Sequence, residues 1–488
     1  MKVLLVQPRQ KPGVGFKNIA VVEPLGLEMI AAALEARHQV MIVDLLESKD
    51  LIRVARAFAP DAVGISCCFT VDVPQSLRIA AFAKSLDSKP YVFVGGHHAS
   101  LSPEDFSESA VDAVVVGEGE GTAVDLASAI ETGQSVSHVS GLVINTPGGQ
   151  IRTPPRDLIA NLDDLPRPAR HLTRRWRGRY FLGFLKPTAT IETSRGCPFR
   201  CSFCSVWHFY GGICRFKSAE RVVSEIAEVE EPHILFSDDN FLVNVKRAKK
   251  IARLIRERGI NKTYSIQART DTIARHPEVI ADWKEIGLDG VFVGLEKLDT
   301  EGLEKVAKNN TAENNEAALE VLRAHGVSVM ASLIVDPDSG PEDFARIRKY
   351  LRQQPVVTPS FTVLTPLPGT DLFDQMKDRL TTRQYELFDL MHAVLPTRLD
   401  LPTFYRELAN LYASAYSTRK MAGMALQGIL GGMAGRRPPL RHLWRIVSSV
   451  RFFTDPDEYL SAHRAVLGTM TGEAAQACSK RAGRAEDE

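Results

Sequence analysis

Residues 192–207 read ETSRGCPFRCSFCSVW and set Cys197, Cys201 and Cys204 at the spacing C-x3-C-x2-C, with an aromatic, Phe203, just before the last cysteine. Three thiolates on one tight loop suit an iron–sulfur cluster, which normally takes four cysteine ligands. One iron is then left without a protein ligand, and an open iron is where a substrate or cofactor binds. Before the loop, residues 188–193 (TATIET) read as a buried strand. After it, 218–229 (SAERVVSEIAEV) read as a helix with Ser218 as its N-cap. A loop that follows a strand in this way lies at the mouth of a barrel-like sheet, where α/β active sites are built.

A structural zinc site is the competing reading, with Cys214 as a fourth ligand. Such sites favour paired C-x2-C motifs, and that pairing is absent here.

Working outward, 488 residues exceed one ordinary core, so two or three domains are expected. A net charge of +1 gives no reason to expect nucleic acid as a partner. Seven cysteines, three of them in the cluster motif, argue for a reducing compartment rather than a disulfide framework. The opening MKVLLVQP lacks the pattern of a signal peptide. No stretch reaches the ~18 apolar residues of a membrane span. The expectation is a cytoplasmic protein.

Residues 1–140 alternate apolar strands (KVLLVQ, QVMIVD, DAVGIS, YVFVGG, DAVVVG) with amphipathic helices, which implies a doubly wound parallel sheet. Glycines crowd the carboxyl ends of its strands, where such sheets bind ligands: Gly95 and Gly96 before His97 and His98, then Gly117, Gly119 and Gly121. No G-x-G-x-x-G follows the first strand, so a dinucleotide is not expected. Residues 141–187 read as a connector, a hairpin over 141–153 and then a proline-strung extended linker. From 188 to 370 six strands alternate with helices, giving a partial (β/α)6 barrel. Residues 371–488 read as a helical region, including 371–380, 383–395 and 403–416, and end in a charged tail.

The three-cysteine motif with its aromatic, followed by this barrel, resembles the radical S-adenosylmethionine (radical SAM) core. The GGHHAS and GEGEGT loops of the first half are similar to those of cobalamin-binding domains. Together, over roughly residues 1–415, the chain resembles the cobalamin-dependent radical SAM class, to which many C-methyltransferases belong. The resemblance implies a [4Fe-4S] cluster on Cys197, Cys201 and Cys204, with Phe203 in the motif. It implies cobalamin against Gly95, Gly96, His97, Gly117, Gly119 and Gly121. The D-x-H-x-x-G hexapeptide of methionine-synthase-type domains is absent, so cobalt is expected to lack a histidine ligand from the protein. For SAM, it implies Asp238 and Asp239 opposite the methionyl ammonium, with Arg269 facing the carboxylate and Glu296 the ribose. Loop polarity and helix capping are the plainer reading of the two aspartates.

The chemistry so implied belongs to the cofactors: a radical made from SAM activates an unactivated carbon, and methylcobalamin delivers the methyl group. No acid–base triad is required. An electron donor such as flavodoxin or ferredoxin is implied as a partner. Residues 206–216 (VWHFYGGICRF) resemble subfamilies acting on polycyclic lipids, among them the hopanoid methylases, which implies a hopanoid methylated at C-3. Trp207, Phe209 and Tyr210 are then candidates to line an apolar site, against the commoner role of packing on the sheet. Between Glu407 and Asp455 there is no acidic residue, while Arg419, Lys420, Arg436, Arg437, Arg441, Arg445 and Arg451 flank two apolar segments, 421–433 and 442–453. Such segments suit peripheral contact with an anionic membrane, or an ordinary helical cap with a basic face. Rival functions are a tetrapyrrole-modifying radical SAM cyclase or methylase and a non-enzymatic zinc- and cobalamin-binding sensor. A tRNA methylthiotransferase would need a second cysteine cluster near the N-terminus, which adjacent Cys67 and Cys68 do not supply.

Overall fold

Five apolar runs in the first 115 residues pair side by side. They are β1 (Lys2–Gln7), β2 (Gln39–Asp44), β3 (Ala62–Ser66), β4 (Tyr91–Gly95) and β5 (Ala113–Val115), in the order β2-β1-β3-β4-β5 and all parallel. The computed structural model describes residues 1–9, 19–354, 357–416 and 440–465. Because strand side chains alternate, Leu4 and Val6 pack with Ala55, Phe58, Ile79 and Ala80 of the helices on one face. Val3 and Leu5 pack with Leu27, Leu34, Ala123 and Leu126 on the other. This is the doubly wound sheet expected, with its strand order reversing between β1 and β3, the crevice where such sheets bind ligands.

The hairpin assigned to the connector belongs to this sheet instead. β6 (Leu142–Thr146) pairs antiparallel with β5, and β7 (Gly149–Arg152) with β6. The segment that follows is not a free linker either. Its prolines keep it extended, but Leu162, Trp176, Tyr180 and Phe181 are buried anchors along it. Arg170 reaches Glu23 at 2.7 Å and Glu225 at 3.1 Å, and the Tyr180 hydroxyl donates to Asp44 at 2.9 Å. The connector is therefore a strap that laces the two halves together.

The second sheet holds β8 (Thr188–Ile191), β9 (His233–Phe236), β10 (Thr263–Ala268), β11 (Leu288–Glu296), β12 (Ser328–Val335) and β13 (Val357–Val363), in sequential order and all parallel. Six units leave the barrel open, as read from the pattern. Ser218 caps helix Ala219–Glu228 by accepting from the Arg221 amide at 3.1 Å.

The region beyond 371 departs from the expected run of helices. The apolar run 383–395 forms only a short turn at Tyr385–Leu387. Leu390 takes φ +65, its carbonyl accepts from Val363 at 2.8 Å, and Asp389 accepts from the Met391 and His392 amides. Pairing with the end of β13 wins over helical periodicity. Helix Leu401–Ala415 forms as expected. Helix Leu440–Thr454 also forms, with Ile446, Ser449 and Phe453 buried, and His442 donates through Nε2 to the Gly183 carbonyl oxygen at 3.0 Å. Of the apolar residues described on this helix, Ile446 and Phe453 face the protein, while Phe452 is exposed. The other apolar segment, 421–433, with Arg419, Lys420, Arg436 and Arg437, lies outside the described residues, as does the charged tail. Among the described residues no helix is long and apolar enough to cross a membrane.

Candidate active site

The cysteine loop is closed at its base by a short antiparallel ladder in which Ser194 faces Phe216 and Arg195 faces Arg215. Gly196 then turns at φ +91, and a Cβ there would lie 2.1 Å from the Ile213 carbonyl oxygen, so only glycine fits between Arg195 and Cys197. The loop is pinned from outside as well. The Ser202 amide donates to Val306 at 3.1 Å, the Leu372 amide to Ser202 at 3.0 Å, and the Trp207 indole to Cys201 at 3.2 Å. Cys197, Cys201 and Cys204 are free thiols, with Cys201 buried and the other two half-buried. Phe203 is half-buried between them.

This donor set fits a cluster. Burial pushes all three thiols up, Cys204 to about 12, while the Lys308 and Arg269 charges act the other way at Cys201 and favour the thiolate a metal requires. Among the described residues no three His, Cys, Asp or Glu side chains converge on one ion position. Cys214, the fourth ligand of the zinc reading, instead donates its thiol to the Gly196 carbonyl at 3.1 Å.

The structure divides the two aspartates expected to meet SAM. Asp238 is buried, and its carboxylate accepts from the Thr193 amide at 2.6 Å, from the Thr193 hydroxyl and from the Ser194 hydroxyl at 2.7 Å. It braces the start of the cysteine loop and is not free for an ammonium. Asp239 is accessible yet hemmed in by protein. Burial and then the neighbouring Asp238 charge raise its pKa to about 6, which is the environment of a carboxylate lacking a cation. Burial also raises Glu192, against the opposing pull of the Arg195 guanidinium that donates to it at 2.8 Å.

Arg269 and Glu296 are also already engaged. Arg269 donates to Asp271 at 2.9 Å and to the Lys308 and Asn309 carbonyls at 2.8 and 2.9 Å, and it lies 3.7 Å over the Phe199 ring. It supports the cysteine loop through Phe199. Glu296 holds φ +61 at a register shift in β11 and accepts from Lys308 at 2.7 Å. In the structure both side chains are bonded to protein groups near Cys201.

On the first sheet, the glycines serve different ends. Gly96 has φ +120, and a Cβ would sit 2.7 Å from the Cys67 carbonyl oxygen, so the loop after β4 presses onto the loop after β3. Gly117, at φ +85, faces open space, as a bare cradle for a flat ring system requires. Gly95 is in ordinary contact with Val115, and a Cβ at Gly119 or Gly121 would press on the flexible ends of Ile30 and Arg156, at 2.9 and 3.0 Å. His98 is bonded at both nitrogens, to Thr70 at 3.1 Å and Asp105 at 2.9 Å. His97 bonds through Nε2 to Ser205 at 2.8 Å and stacks on Phe209 at 4.7 Å. It therefore contacts the residue that directly follows Cys204.

Sequence reading took the glycines of GEGEGT and passed over the glutamates between them. Glu118 accepts from Arg195 at 2.8 Å and from Arg215 at 2.8 Å, and Glu120 accepts from Arg195 at 2.6 Å. Arg195, Glu118 and Glu120 are all buried. Burial alone would raise Glu118, but the Arg215 and Arg195 guanidiniums outweigh it and hold the carboxyl below its usual range. The signal lay in the alternation of the motif, which puts a carboxylate at every second position.

With this geometry established, comparison with known proteins decides the family. Residues 19–127 match the B12 binding domain and residues 191–351 the Radical SAM superfamily. The chain is 38% identical over 476 residues to the hopanoid C-3 methylase of Methylococcus capsulatus, covering 95% of this chain and 90% of that one. It belongs to the cobalamin-dependent radical SAM methyltransferases. An uncharacterised methyltransferase of Pyrococcus horikoshii is 31% identical, over 77% of this chain and 83% of its own. Among solved structures, TsrM from Kitasatospora setae, with cobalamin and a [4Fe-4S] cluster bound, has the same fold at a TM-score of 0.67 and 19% identity, covering 96% of this chain and 99% of that one. The cofactors of this methyltransferase are thus a [4Fe-4S] cluster, SAM and cobalamin. When bound, they supply the radical and the methyl group; the protein holds the loops that carry them and keeps those loops in register.

Proposed function

We propose that this methyltransferase places a methyl group on C-3 of a hopanoid, a polycyclic lipid, drawing its electron from a flavodoxin- or ferredoxin-type donor and meeting its substrate at the membrane surface. The observation that carries the reading is the length of the alignment with the hopanoid C-3 methylase. It runs over 476 residues, past both cofactor domains and into the C-terminal helices. Relatives that act on tetrapyrroles, such as a bacteriochlorophyllide d methyltransferase of Chlorobaculum tepidum, are 23–26% identical.

An apolar substrate also suits what is exposed beside the cofactor loops. Phe69 follows the loop that Gly96 presses on and is 61% exposed, and Ile213 in the cysteine loop is 53% exposed. The aromatics first considered for the pocket are used otherwise. Trp207 bonds the Cys201 carbonyl, Phe209 stacks on His97, and Tyr210 packs between Phe209 and Arg215.

Lipid profiling of a strain lacking the gene tests the proposal. Loss of a C-3-methylated hopanoid, with its unmethylated parent retained, is the expected result. An unchanged hopanoid profile with altered pigments would move the assignment to a tetrapyrrole.

A further inference from the structure

The first domain grips the cysteine loop at both ends. Arg195, two residues before Cys197, is held by Glu118 and Glu120, and Ser205, directly after Cys204, is held by His97. The gripping residues directly follow Gly96 and the open Gly117: His97 opens the short helix His97–Leu101, and Glu118 and Glu120 lie at the start of helix Gly119–Thr132. We propose that Glu118, Glu120 and His97 are positioning residues that couple cobalamin binding on the first domain to SAM binding at the cluster. The proposal rests on the family assignment of the cofactors and not on the identity of the substrate.

The physical argument is one of shared ordering. A ligand that fixes the segments after β4 and β5 also fixes, through Arg195 and Ser205, the loop that presents the open iron. The second ligand then meets a loop already ordered, and its affinity rises; by linkage each ligand helps the other equally. The Arg195 end is rigid because its charges are buried and interlocked, with Glu192 on Nε at 2.8 Å and Arg215 sharing Glu118. The Ser205 end is a single hydrogen bond backed by a ring stack, and so can be cut without leaving a buried charge unpaired.

The test is titration of the full-length, cluster-reconstituted enzyme with hydroxocobalamin, followed by absorbance, with and without saturating SAM and with no reductant present. The native enzyme should bind hydroxocobalamin at least about fivefold more tightly when SAM is bound. Ser205→Ala and Glu120→Gln should each lower that ratio, and the double variant should bring it close to one, with iron content and SAM-free cobalamin affinity retained. If Glu120→Gln loses iron or fails to fold, Ser205→Ala decides alone. A native ratio of one, or a Ser205→Ala variant with the full native ratio, would overturn the proposal. Neither outcome bears on which lipid is methylated.

Discussion

Arg195 Nη2 lies 2.6 Å from Glu120 Oε1, a buried ion pair joining the glycine loop of the first domain to the loop that carries the three cysteines. The pair sits two residues from Cys197, so the cobalamin domain is part of the scaffold of the cluster site rather than a separate module beside it.

Removing the cation of this pair should be costly. Arg195→Leu leaves Glu118 with Arg215 but strands Glu120 without its guanidinium. Breaking one side of a buried pair costs about 3–5 kcal/mol. Urea denaturation of the apo protein should show a loss of that size.

Gly196→Ala tests the turn itself. A Cβ there meets the Ile213 carbonyl oxygen, and φ +91 is strained for alanine. Iron bound per chain after anaerobic reconstitution should fall steeply, although all three cysteines remain. Cys214→Ala, which removes a thiol that only donates to Gly196, should leave iron content nearly unchanged.

The two neighbouring aspartates should separate under mutation. Asp239→Asn removes the accessible carboxylate and should weaken SAM binding about tenfold, near 1.4 kcal/mol, with the cluster intact. Asp238→Asn instead cuts hydrogen bonds of a charged acceptor to Thr193 and Ser194, worth about 1.5–3 kcal/mol, and should lower stability and iron loading together. Isothermal titration with SAM and denaturant melts distinguish the two.

How far the sequence carries is visible in this corner. C-x3-C-x2-C, the six barrel strands and the five parallel strands of the first sheet were legible because each rests on a local period or spacing. Glu118 and Glu120 were not, since nothing local tells a carboxylate in a glycine loop that its partner lies 75 residues on. The same holds for His97, whose neighbours suggested a cofactor loop while its actual partner is Ser205. Residues 383–395 misled for the converse reason: their apolar spacing fits a helix, but Leu390 is claimed by Val363 at the end of β13. The connector reads from its prolines as an extended linker, and its buried Tyr180 and Phe181 are invisible to that reading because their burial depends on elements far away in sequence.

The strap also makes stability depend on pH. Glu28 is buried there, and burial, then the Glu23 charge, raises its pKa from 4.5 to about 8 against the opposing pull of Arg170. A carboxyl raised on folding holds its proton in the native state where the unfolded chain has released it. Its effect on stability is therefore most favourable below about pH 4.5 and is lost progressively as pH rises toward about 8. Glu28→Gln should remove this component. Thermal melts across that range should show the native protein losing more stability than the variant as pH rises.

Methyl transfer to a hopanoid ring carbon, the function we propose, is tested most directly by anaerobic turnover with SAM carrying a deuterated methyl group. The enzyme, loaded with cluster and cobalamin and supplied with reductant, is given a hopanoid unmethylated at C-3, and lipids and 5′-deoxyadenosine are quantified by mass spectrometry. The proposed function requires a hopanoid bearing the deuterated methyl at C-3, formed together with 5′-deoxyadenosine. Formation of 5′-deoxyadenosine with no label in the hopanoid, and label appearing instead in an added tetrapyrrole, would contradict it.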